Sequence, residues 1–173
     1  MKSGLSSGEE QILGAILYAA QSPDYTLRSV VFTDRQVFQV PLSKLSEIAA
    51  RAGGVPTAVA WLFEAANPAV FSGLGGMVGM KMWKDLKKRV ADRQVLQLKS
   101  GPLPAELLAA AKSKMAYDEV KDVKVKKVMM SSDLMLDIGA GFMHSEKIFF
   151  EGRAGDEVRN LIRATPLASK LKE

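Results

Sequence analysis

The chain of 173 residues has no cysteine. That removes disulfides, thiolate nucleophiles and Cys-based zinc or iron–sulfur centres together, and it accords with a reducing compartment. There is one histidine, His144. A Ser-His-acid site or a His-ligated metal needs partners for it, and no other side chain has an unperturbed pKa near neutral pH. His144 sits between Met143 and Ser145 and reads as a surface turn residue. The acids Asp118, Glu119 and Asp122 are interleaved with Lys121 and Lys124, the pattern of paired surface charges. No catalytic residue, metal ligand or cofactor site is therefore expected. Aromatic residues make up only 7%. Single-strand nucleic-acid binders stack bases on several aromatics, whereas the basic stretch offers only Trp83 and Tyr117, so nucleic acid is disfavoured as a partner.

Long hydrophobic runs are also missing. From Val55 to Met80 the only charge is Glu64, but Glu64 and Asn67-Pro68 interrupt the roughly 20 clean apolar residues a spanning helix requires. The N-terminus, MKSGLSSGEEQILG, carries one lysine followed by polar and acidic residues, unlike a secretory signal. The expected location is the cytoplasm, with peripheral membrane contact as a variant of it.

Hydrophobic residues are 47% and charged residues 25%, as in an ordinary globular protein, and the length suits one domain over residues 1–173. The organising stretch is Tyr25 to Val40, YTLRSVVFTDRQVFQV. Val30, Val31, Phe32, Val37, Phe38 and Val40 favour strands, and Thr33-Asp34-Arg35 turns between them. Residues 9–21 are ambiguous. Ser7 and Glu10 form a capping-box pattern for a helix, yet Ile12, Ile16, Leu17 and Tyr18 would equally fill a buried strand. Ser43 starts a helix to Ala52, Val55-Pro56-Thr57 another to Ala66, and an amphipathic helix runs from Met82 until Ser100-Gly101-Pro102 stops it. Met82, Leu86 and Val90 share one face of it; Lys81, Lys84 and Lys88 line another. A last helix follows Pro104. VKDVKVKKV, LMLDI and KIFFEG then read as strands, and EVRNLIRAT as a closing helix.

The charge is uneven. Lys81 to Lys127 holds 13 Lys/Arg against 6 Asp/Glu, a surplus of 7 positive charges, while the remainder is net −2. Phe71, Met77, Met80 and Trp83 next to Lys84, Lys87, Lys88 and Arg89 offer an apolar surface beside a basic one, suited to a partner protein or an anionic membrane. Gly75 and Gly79, four apart, allow close helix packing or self-association. The glycines of Gly73–Gly79 lack the Gly-Lys-Ser/Thr ending of a phosphate loop.

SVVFTDRQVFQVP is similar to the hairpin of bacterial and archaeal pleckstrin-homology-like domains. MAYDEVKDVKVKK resembles their later strand entry, and DEVRNLIRAT their C-terminal helix. The match departs at Gln36, where a second basic residue is usual. The resemblance implies an α+β fold: a bent, seven-stranded antiparallel sheet or barrel with a C-terminal helix, formed by residues 10–41 and 115–165, with 42–114 a helical insertion. It also implies that residues 9–21 are mostly the first strand. Its functional implication is a non-enzymatic interaction module that associates with proteins or with itself, a homo-oligomer. Peripheral binding to anionic lipid through the insertion is the alternative.

Overall fold

A computed structural model of the chain describes residues 8–51, 79–90, 96–141 and 144–172. The fold is α+β, and its centre is a long first strand, β1 (Gln11–Gln21). The helix option for this segment is excluded. Glu10, the proposed capping residue, instead accepts hydrogen bonds from Thr33 Oγ1 (2.5 Å) and Gln36 Nε2 (3.0 Å) of the neighbouring strands.

The hairpin forms as read. β2 (Thr26–Thr33) and β3 (Gln36–Pro41) pair antiparallel, and the Thr33 hydroxyl accepts from the amides of Arg35 (3.1 Å) and Gln36 (3.0 Å), which closes the turn. After α1 (Leu42–Arg51) and α2 (Gly79–Val90) come β4 (Leu96–Pro102), α3 (Ala105–Ala110), β5 (Ser113–Ala116), β6 (Val120–Lys127), β7 (Leu134–Ala140) and β8 (His144–Phe150). α4 (Gly155–Arg163) and the short β9 (Leu171–Lys172) end the described chain.

The nine strands of the described residues make one mostly antiparallel sheet in the order β5-β3-β2-β1-β8-β7-β6-β9, with β4 branching from β1. β9 runs parallel to β6, and the terminal strands β5 and β9 are not paired to each other, so the sheet is open. One edge of β1 serves two partners: residues 11–16 pair with β4 and residues 20–21 with β8. Between them the register shifts, and Tyr18 takes a left-handed backbone with φ of 52°. This bulge bends β1 from one partner to the next. It also resets the alternation, so that Leu17 before it and Ala20 after it enter the same core.

Two cores result. On the concave side, Ile16, Val30, Phe32, Val37, Val123, Leu136, Ile148 and Phe150 pack with Val158, Leu161 and Ile162 of α4. On the other face of β1–β3, Leu17, Val31, Phe38 and Val40 are covered by Leu42 and Leu45 of α1, Trp83 and Leu86 of α2 and Leu107 of α3. Strands covered on both faces lose the apolar/polar alternation, which is why β1 read ambiguously. β6, buried on one face only, alternates.

The insertion is not purely helical. The helix expected from Met82 to about residue 99 ends at Val90, and Leu96–Pro102 is a strand paired with β1. LQLKS alternates leucine with polar residues, and the open edge of β1 supplies the partner. β5 begins at Ser113, inside the expected insertion.

Candidate docking site

The candidate surface residues divide sharply once α2 is placed. Trp83, expected at the surface, is 1% exposed, because the face of α2 that meets the sheet is centred on Trp83 and Leu86. Its indole Nε1 donates to Asp133 Oδ2 (3.0 Å), and Lys87 Nζ donates to Asp133 Oδ1 (2.6 Å) while lying 6.0 Å from the centre of the Trp83 ring. Asp133 is itself buried. One carboxylate thus ties α2 to the β6–β7 connection through two charge-assisted bonds.

Met80, Lys84 and Lys88 remain exposed. Phe71, Gly75 and Met77 lie outside the described residues, as does the side chain of Arg89. Gly79 stands at the start of α2 with φ of 59°, and Gly75, its expected packing partner, lies outside the described residues.

Met80, Lys84 and Lys87 occupy one flank of α2 and face the β6–β7 loop across a groove of about 230 Å³. Its floor is Tyr25 and Phe149, stacked at 5.2 Å, with Trp83 behind. Its far wall is Met129 and Met130, which directly follow the strand expected at VKDVKVKKV. Met129 is 89% exposed and Met130 fully so; with Met80 at 48% they are the exposed large hydrophobic residues of the described chain.

The loop beneath them is firmly built. Val128 N donates to Asp133 O (3.1 Å), Ser131 N to Val128 O (3.4 Å), and Asp133 N to Ser131 Oγ (3.1 Å). Gly152 lies against the Ser132 carbonyl so closely that a Cβ there would sit 2.1 Å from it. The base of the loop is pinned from both sides, while Met130 at its tip adopts φ of 58°. Lys84 on the wall of the groove is exposed, as are Lys81 and Lys88 on the same helix and Lys127 at the end of β6, and these four carry no ion pair among the described residues. Lys126, by contrast, pairs with Asp137 (2.7 Å).

A second polar cluster stands at one end of the concave face. Glu146 accepts from Gln21 Nε2 (3.1 Å), Gln39 Nε2 (2.9 Å) and Ser113 Oγ (2.7 Å), with His144 Nε2 at 3.7 Å. The crevice beside it has only about 10 Å³ of room, roughly one water, against 230 Å³ in the groove. Its carboxylate is held by three protein donors, so this cluster joins β1, β3, β5 and β8. His144 opens β8 with its ring exposed. Asp122 bridges Lys124 (2.8 Å) and Lys172 (3.0 Å), and the hydrogen bonds from these two lysines hold its carboxyl down at about 2.

Among the described residues no helix is long and apolar enough to cross a membrane, and no three His, Asp or Glu stand together as metal ligands. Comparison of the chain with protein-family models, curated proteins and solved structures finds no match.

Proposed function

We propose that the protein is a non-catalytic binding module that docks peripherally on anionic membrane surfaces through the groove between α2 and the β6–β7 loop. The observation that carries this reading is the Met129–Met130 tip, two apolar side chains projecting into solvent across the groove from the exposed, unpaired Lys84, with Lys81, Lys88 and Lys127 exposed on the two elements that frame it. Buried methionine is worth about 1.5–3 kcal/mol and a lysine near an anionic surface about 1 kcal/mol. Two methionines and the three lysines of α2, Lys81, Lys84 and Lys88, therefore give roughly 6–9 kcal/mol before the costs of association, enough for reversible, salt-sensitive contact. The same lysines disfavour a symmetric dimer closed over this groove, since each copy would set its basic rim against the other.

The fold reading that accompanies this is a pleckstrin-homology-like scaffold. Its support is the seven-strand antiparallel run β5-β3-β2-β1-β8-β7-β6, with α4 packed into the concave face. Those are the strand number and closing helix that the sequence resemblance implies.

Co-sedimentation tests the membrane reading, with vesicles of phosphatidylcholine alone or mixed with phosphatidylserine, at 0.1 M and 1 M salt. The native protein should pellet only with the anionic vesicles and be released at high salt, where the screening length falls from about 10 Å to about 3 Å. Met129→Asp/Met130→Asp and Lys84→Glu/Lys88→Glu should each stay in solution while remaining folded by circular dichroism. No pelleting of native protein under any condition overturns the membrane assignment. An oligomer seen by light scattering and broken by the methionine pair would then assign the groove to self-association.

A further inference from the structure

Nine methionines are unusual baggage for a chain with no cysteine, and two of them stand where stability gives no reason for a thioether. Met129 and Met130 touch little, and Met130 occupies a left-handed backbone position that costs an L-residue about 1–2 kcal/mol. Met115, by contrast, is 4% exposed in the concave core. Access to a dissolved oxidant therefore separates the methionines by position.

We propose that Met129 and Met130 form a peroxide-sensitive modification site whose oxidation releases the protein from the membrane; this rests on the membrane-docking reading above. The chemistry needs only a hydroperoxide. The thioether sulfur attacks the terminal peroxide oxygen, the O–O bond breaks, an S–O bond forms and water or an alcohol leaves. Sulfur is oxidised by two electrons to the sulfoxide and the peroxide is reduced by two, with no net change in protons. The product is a polar side chain with a strong acceptor oxygen, which resists transfer from water into an apolar layer. The charge of the lysine rim is untouched. Oxidised protein should keep weak electrostatic attraction while losing its apolar anchor.

The test uses native protein partially oxidised with hydrogen peroxide and then sedimented with phosphatidylcholine–phosphatidylserine vesicles. Tryptic mapping by mass spectrometry compares pellet with supernatant. Sulfoxide at Met129 and Met130 should form earlier than at Met115, and it should be enriched in the supernatant by roughly tenfold or more. Sulfoxide at Met82 or Met135, outside the tip, should divide evenly. Equal partition of the Met129 and Met130 sulfoxides, with unoxidised protein in the pellet, overturns the switch and leaves membrane docking standing. Oxidation of Met115 as fast as the tip overturns the site assignment. Failure of unoxidised protein to pellet removes both proposals together.

Discussion

Met130 is the residue at which folding and binding make opposite demands. A turn residue at φ of 58° is best filled by glycine or asparagine, and a fully exposed methionine contributes no packing there. Met130→Gly should therefore leave stability unchanged or raise it by up to about 1 kcal/mol in urea unfolding, since relief of strain is offset by the greater freedom of glycine in the unfolded chain. The same substitution should reduce vesicle binding. A clear loss of stability would show that the side chain serves the fold and would remove the argument from strain. Tyr117 shows the reverse economy. Its hydroxyl donates to Thr33 O (2.6 Å) from inside the core, and burial pushes its phenol well above the usual range. Because the folded state holds this proton more tightly, its contribution is intact below the unfolded value of 10.0 and is lost as pH rises above it. Tyr117→Phe should cost about 1 kcal/mol at pH 7 through the lost hydrogen bond, and urea unfolding above pH 10 should show a flatter fall in stability than that expected of native protein.

Between elements, Asp133 is the latch. Removing its carboxylate leaves the Trp83 indole N–H buried without an acceptor and Lys87 without its counter-charge, both on α2. Asp133→Ala should cost about 2–3 kcal/mol, with faster amide exchange concentrated in α2 and the 128–133 loop. Unchanged exchange in α2 would mean that apolar contacts with the sheet hold the helix alone. This element also marks where sequence reading stops. Met82, Trp83, Leu86 and Val90 form a broad apolar arc, and periodicity cannot say which part of it faces the sheet. The sequence offers Trp83 to a partner or lipid surface, but the sheet turns it inward. The hairpin at Asp34-Arg35 was legible because turn chemistry and β-branched runs agree locally. β4 was not, because its identity depends on the free edge of β1 some 80 residues earlier. Met129 and Met130 carry a signal of their own, two bulky apolar residues at a turn between alternating strands.

For the molecule as a whole, the question is how an open sheet keeps its curvature. β8 is hydrogen-bonded to β1 over only two residue pairs, while β3 and β5 lie on the far side of β2. Glu146 on β8 crosses the concave face to reach Gln39 on β3 and Ser113 on β5, and holds Gln21 on β1 as well. α4 fills the interior, and this carboxylate acts as a clasp between the two halves of the sheet. Removing it alone should be expensive: Glu146→Leu leaves the amide of Gln39, only 3% exposed, with no acceptor, and should cost about 2–3 kcal/mol. Gln39→Leu alone should cost less, since Glu146 keeps the donors of Gln21 and Ser113. If the clasp works through paired desolvated groups, Glu146→Leu/Gln39→Leu should be far less destabilised than the sum of the two single changes, because no donor in β3 is then left unmet and the new side chains extend the core of Val30, Val37, Ile138 and Ile148. A double-mutant cycle in urea reads that coupling directly. Strict additivity would mean that the cluster contributes no pairing across the sheet, and that curvature comes from α4 and the β1 bulge alone.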